Sequence, residues 1–158
     1  MIVNGLELAD NRESLAVKLA EILERNKNKR IVVVGTTCTG KSTFLKQIGN
    51  AHDMDDLIFP QLSQEEKNYV CQNPWTEEIG KTMTRLVKEK VKIKAGEPVF
   101  GTVVLYSDLI IELIISDELL RQRTAFRGVD FQNAKNMQRQ IGGEVKQSGL
   151  PVIKFNVG

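Results

Sequence analysis

The stretch Ile31-Val32-Val33-Val34, running straight into Gly35-Thr36-Thr37-Cys38-Thr39-Gly40-Lys41-Ser42, constrains this chain more than any other. Branched apolar residues without polar alternation read as a short strand covered on both faces, the setting of an inner strand in a parallel sheet. Six small residues follow, then Lys-Ser. Beyond them Phe44, Leu45 and Ile48 recur at helical spacing, which predicts a helix from Lys41 to about Asn50. A buried strand, a tight loop and a helix in immediate succession leave one mouth at the end of the strand, lined by backbone amides, hydroxyls and one ammonium.

The rest of the chain alternates in the same way. Asp10 to Arg25 reads as an amphipathic helix, with Asp10 and Glu13 fitting a capping box and Leu15, Leu19, Ile22 and Leu23 on one face. Residues 51–72 are polar and carry no clear period. A helix is predicted from Pro74 to about Val91, capped by Asn73, with Ile79, Met83, Leu86 and Val87 as its buried stripe. Two apolar segments follow, Val99–Leu105 and Leu109–Ile115, then helices from about Glu118 to Arg127 and from Phe131 towards Lys146, the latter strained at Gly142-Gly143. Val152–Phe155 makes a last strand. Strands alternating with helices predict an α/β domain with a mainly parallel sheet. With 158 residues and no repeat or Pro/Gly/Ser linker, residues 1–158 read as a single domain.

Gly35 to Ser42 fits G-x-x-x-x-G-K-[ST], the pattern of a phosphate-binding P-loop. Gly35 and Gly40 permit backbone angles that turn several N–H groups into one concave anion nest. The helix starting at Lys41 adds its positive end. Lys41 supplies a full charge to the β- and γ-phosphates of a nucleotide, and Ser42 a hydroxyl ligand for Mg²⁺. Thr36, Thr37, Thr39 and Thr43 fall within the nest or beside it. Cys38 is read as a small residue that fits a tight turn rather than as a reactive thiol.

Three further groups are candidates for handling the γ-phosphate. In His52-Asp53-Met54-Asp55-Asp56-Leu57, Asp53 and Asp55 would point the same way on an extended backbone. One could hold Mg²⁺ and the other accept a proton from a substrate hydroxyl. The strand ending there is expected beside the strand that feeds the glycine-rich loop. Arg123 and Arg127, four apart, share a helical face and can converge on one anion, with Arg121 a weaker third. Gly101-Thr102, at the end of a strand, would let a ligand approach the backbone. Trp75 reads as an anchor at the edge of the core, with a stacking surface as the alternative.

The order of these features resembles the small P-loop kinases, the superfamily of shikimate kinase, gluconate kinase and the nucleoside monophosphate kinases. The likeness runs from about residue 30 to the C-terminus. It implies a three-layer P-loop NTPase fold with an about five-stranded, mainly parallel sheet and helices on both faces. ATP and Mg²⁺ would be the cofactors, and a lid would close over the donor. The activity implied is transfer of the ATP γ-phosphate to a hydroxyl or phosphate of a small metabolite. By position Asp53 looks like the metal-side aspartate and Asp55 like the acceptor-side one. Gly101 resembles the glycine segment of shikimate kinase, and Arg123 and Arg127 the arginines at the base of the lid. The chain departs from the pattern in its short interval from Lys41 to Asp53, in a glycine run reduced to Gly101-Thr102, and in a short lid, Gly128–Phe131. Arg85 is a weak stand-in for an acceptor-binding arginine. The base-binding loop is expected near Asn156-Val157.

Two rival readings stay open. In a non-kinase ATPase, Thr102–Asp108 would be a Walker B strand with Asp108 placing Mg²⁺ and Glu112 orienting water, although a glutamate facing solvent on an edge strand is the simpler reading of Glu112. A nucleotide-binding protein without catalysis is the third. A regulatory GTPase is disfavoured, since Asn26-Lys27-Asn28-Lys29 lies upstream of the loop and lacks the aspartate of a base-reading motif.

Bulk properties remove other classes. A formal net charge of +2 is too small to argue for nucleic acid or an anionic membrane as partner. Two separated cysteines and one histidine exclude a disulfide framework and a Cys/His zinc site. No signal peptide or run of spanning length is read, so the expected compartment is the cytoplasm.

Overall fold

Branched residues at Ile31–Val34 form β1, and all are buried. Burial of such a side chain contributes about 1.5–3 kcal/mol, so this short strand anchors the sheet around it. The computed structural model describes residues 4–72 and 76–158, residues 4–13 by their backbone alone. The other strands are β2 (His52–Asp53), β3 (Val99–Gly101), β4 (Leu109–Ile114) and β5 (Val152–Asn156). Together they make one five-stranded sheet in the order β2-β3-β1-β4-β5, every pairing parallel.

Alternate strand residues feed two cores. Val32, Val34, Val99 and Ile110 face one cluster; Ile31, Val33, Phe100, Ile111 and Leu113 face the other. The first is closed by α3 (Met54–Ile58), α4 (Gln64–Val70), α5 (Glu77–Lys90) and the distal part of α7 (Phe131–Ser148). The second is closed by α1 (Asn4–Arg25), α2 (Lys41–Gln47) and α6 (Asp117–Arg127), with Phe44 and Phe155 meeting edge-on at 6.2 Å. No helix among the described residues is long and apolar enough to cross a membrane.

Several expectations are corrected. The strand ending at Asp53 does not lie beside β1; β3 intervenes, pairing Val99 with both His52 and Val32. The first helix begins at Asn4, so Asp10 is an interior position, and the side chains of the expected Asp10–Glu13 capping box lie outside the described residues. The residue that caps α5 is Thr76, whose hydroxyl accepts from the Ile79 amide; Asn73, Pro74 and Trp75 lie outside the described residues. The helix of residues 131–148 runs unbroken through Gly142-Gly143. The polar region 51–72 folds as two short helices and a turn, the second helix closed by a full capping box between Ser63 and Glu66.

Glu112 is not a solvent-facing residue on an edge strand. It sits on β4, between β1 and β5, and is 8 % exposed. A Cβ on Gly142 would lie 3.6 Å from its Oε2, an ordinary van der Waals distance, so α7 packs over this carboxylate.

Parallel strands give the sheet two chemically distinct ends. At the end where strands begin, Arg30 precedes β1 and Asp108 precedes β4. There the Arg30 guanidinium donates to both carboxylate oxygens of Asp108, at 3.2 and 2.9 Å, and its backbone N–H adds a third bond at 2.8 Å. These bonds hold the Asp108 carboxyl down at about 2. At the opposite end, where strands finish, lie the glycine-rich loop, the Asp53–Asp55 segment and Gly101-Thr102.

Candidate functional site

Loop 35–40 turns sharply enough to need two left-handed residues. Gly40 has φ +95°, and Cys38, the one non-glycine in this region among the described residues, has φ 67°. Gly35 serves a different purpose from the expected one. Its Cβ would lie 2.8 Å from Thr39 Oγ1 and 2.9 Å from Leu113 Cβ, so it is small because the loop folds over it. The turn is pinned from below. Thr36 Oγ1 donates to the Ala134 carbonyl at 2.6 Å, Thr39 Oγ1 to the Thr36 carbonyl at 2.8 Å, and the Gly35 amide to the Gly101 carbonyl at 3.3 Å. The Thr37 hydroxyl rests 3.9 Å from Cys38 Sγ.

Lys41 closes the loop from the other side. Its Nζ donates to the carbonyls of Gly35 (2.6 Å) and Thr36 (2.7 Å) and to Thr39 Oγ1 (3.3 Å). Desolvation lowers this ammonium's pKa to about 8, against the opposing pull of the Asp53 charge. Three oxygens of the loop thus hold a cation that carries little hydration of its own.

Arg123 and Arg127 reach the same loop from α6. Arg123 Nη1 donates to the Cys38 carbonyl at 3.1 Å, and Arg127 Nη1 lies 3.9 Å from Cys38 Sγ. The convergence expected from their spacing is present. Arg121 points elsewhere, stacking on the Phe131 ring at 4.0 Å.

Asp53 and Asp55 meet for a reason other than strand alternation. Only His52 and Asp53 are extended; Asp53 then caps α3, accepting from the Asp55 amide at 3.1 Å, and Asp55 stands in the first helical turn. Both carboxylates act on the Lys41 charge. The Asp55 pKa is raised, first by desolvation and then by the charges of Asp53 and Asp56, with Lys41 opposing. His52 bonds Glu97 at 2.9 Å and ties the edge strand to the turn before β3.

Two cavities open on the two sides of the loop. One, of about 630 Å³, lies between Cys38, Thr39, Gly40 and Thr43 and the α6 residues Arg123, Phe126 and Arg127, with Leu15, Leu119 and Val157 as apolar walls. The other, of about 220 Å³, joins Lys41 and Ser42 to Asp53, Asp55 and Thr102, over Met54, Met83, Val87 and Phe100. Adjacent loop residues therefore serve different clefts, Thr39-Gly40 the larger and Lys41-Ser42 the smaller.

Gly101 and Thr102 both line the smaller cavity. The space that a Cβ on Gly101 would need is filled by Met54, with Sδ at 2.7 Å and Cβ at 2.8 Å. Asp108 belongs to the opposite end of the sheet, which removes it from this site. Arg85 is turned to Glu89 at 3.5 Å on the surface of α5.

Sequence reasoning missed Phe126, Leu15 and Leu119. Phe126 is 92 % exposed yet lines the larger cavity. Spacing on α6 could have found it, because positions 119, 123, 126 and 127 recur on one helical face. Nothing local announces Leu15, which arrives from α1 by tertiary packing.

As for a cation, no three His, Cys, Asp or Glu side chains gather among the described residues. A Ser42 hydroxyl beside an Asp53 carboxylate is the sparse oxygen set that suits Mg²⁺ shared with phosphates and water. The chain matches no protein-family model and no curated protein.

Proposed function

We propose that this protein is a P-loop kinase of small-molecule type, moving the γ-phosphate of ATP to an acceptor in the smaller cavity. The observation that carries the reading is the partition of two clefts by one loop, with Lys41 and Ser42 at the divide. In this reading the larger cleft takes the nucleotide, its base against Phe126 and Arg123 and its phosphates along residues 35–43. Val157 on its wall agrees with the base site expected near Asn156-Val157.

The amides of the loop and the Lys41 ammonium stabilise charge on the migrating group. Ser42 and Asp53 would hold Mg²⁺, which would offset negative charge on the nucleotide phosphates. Asp55 accepts the proton of the attacking hydroxyl, a task that its raised pKa suits. Arg123 and Arg127 approach the loop from the donor side. Only Val129 and Asp130 lie between the Gly128 cap of α6 and α7, so water exclusion rests on these arginines rather than on a large flap.

The ATPase reading built on Asp108 loses its geometric basis, since that carboxylate is bonded to Arg30. Two variants test the assignment together. Asp55→Asn should keep Mg·ATP-dependent thermal stabilisation while transfer falls by about 10²–10⁴-fold. Asp108→Asn should leave both intact. Equal loss of binding and transfer in Asp55→Asn, or loss of turnover in Asp108→Asn, contradicts the proposal.

A further inference from the structure

We infer that the acceptor is a small alcohol that carries no anionic group: an uncharged polyol or an amino alcohol. The inference rests on the kinase reading and narrows it. Charge is the first argument. Asp53 and Asp55 both face the smaller cavity, and Lys41 is the one cation on its lining among the described residues. That ammonium already serves Gly35 O, Thr36 O and Thr39 Oγ1, and in turnover it serves the phosphate. With Asp53 taken up by Mg²⁺ and Lys41 by the migrating group, a carboxylate or phosphate on the acceptor would face Asp55 and the γ-phosphate, with no further positive side chain among the described lining residues to pair with it.

Nor does the covering helix supply one. On α5, Met83 and Val87 face the cavity, whereas Lys81 and Arg85 turn to Glu77 and Glu89 on the outer surface. Asn73, Pro74 and Trp75, just before that helix, include no basic residue. What the cavity offers instead is hydroxyl and carboxylate oxygen (Ser42, Thr102, Asp55) above methionine and valine walls. Hydroxyl and ammonium groups can donate to the Asp55 carboxylate, whereas an anion, which only accepts, is repelled by it and left to the Ser42 and Thr102 hydroxyls.

Size is the second argument. About 220 Å³ is below the roughly 300 Å³ at which pockets for drug-sized ligands begin, which favours a compact acceptor over a nucleotide.

In the transfer, the acceptor O–H bond and the bond from the γ-phosphorus to the β,γ-bridging oxygen break, and a new P–O bond forms. The proton passes to Asp55, and ADP leaves.

Matched pairs test the inference with the full chain. Glycerol and glycerate, glucose and gluconate, and ethanolamine and glycolate are each supplied with Mg·ATP. ADP release is followed together with ³¹P detection of the phosphorylated product, and Mg·ATP binding is measured separately by thermal shift. The expected result is product from uncharged or amino members, at kcat/KM at least about tenfold above their anionic counterparts. A Met83→Arg variant, which adds a cation to the cavity wall, should narrow or reverse that ratio. Equal or preferred use of an anionic member by the natural chain overturns the inference while leaving the kinase reading standing. Transfer to no member despite Mg·ATP binding overturns both, and failure to bind Mg·ATP removes the nucleotide site on which both depend.

Discussion

Met54 occupies the space that a side chain on Gly101 would need: its Sδ lies 2.7 Å and its Cβ 2.8 Å from the position of that missing Cβ. Met54 is the first residue of α3 and is buried, so the contact sets how closely the Asp53–Asp55 segment docks on the end of β3. Glycine at the strand end is thus a packing requirement that helps to position two carboxylates, at a place that also lines the smaller cavity.

Gly101→Ala should therefore destabilise the fold by about 1–3 kcal/mol, the usual cost of forcing one extra carbon into a packed site. The methionine terminus can shift but its Cβ cannot, which places the cost within α3. Chemical denaturation measures it. Because the contact is pairwise, Met54→Gly, which removes that Cβ, should restore part of the loss in the double variant, so the two effects should not add. Additive destabilisation would mean that the two residues are not in this contact.

Much of the scaffold could be read in the chain because its signals are local. Ile31–Val34 carried its own burial, Lys41 to Ile48 its own period, and the spacing of Arg123 and Arg127 placed both at the loop. What could not be read depends on long-range pairing. The insertion of β3 between β1 and β2 is written in no local pattern, since a two-residue edge strand at His52-Asp53 has no periodicity to display. Asp108 looked like a metal ligand at a strand end, yet it stands where β4 begins, and only the register reveals Arg30 beside it. Glu112 looked solvent-facing because a charged residue usually is; its burial comes from β1 and β5 on either side and from α7 against it, all long-range contacts.

Lys41 gives a pH prediction with a definite sign. Its ammonium titrates at about 8 in the free protein because desolvation disfavours the charge. A triphosphate beside it restores that charge, so the pKa rises on binding. Affinity for Mg·ATP should then be flat below pH 8 and fall about tenfold per pH unit above it, because binding must take up a proton. The fall should level off above the pKa of the complex. Calorimetry in buffers of different ionisation enthalpy would detect the proton uptake. In Lys41→Arg, whose guanidinium does not titrate in this range, the pH-linked fall should vanish even where the absolute affinity drops.

Under the proposed nucleotide reading, Phe126 offers a way to separate recognition of the base from recognition of the phosphates. The ring stands almost wholly in solvent on α6, and it lines the larger cavity with Arg123 and Arg127. An aromatic side chain this exposed contributes little to the core, so Phe126→Ala should change stability by less than about 0.5 kcal/mol. If the base stacks there, the same variant loses about 1–3 kcal/mol of nucleotide affinity, the range of a base–aromatic contact. Inorganic tripolyphosphate, which has no base, should bind the variant and the natural chain alike. A parallel loss of tripolyphosphate binding would show that Phe126 acts through the arginines of its helix, and the base would then have to be sought on the Leu15–Val157 side of the cleft.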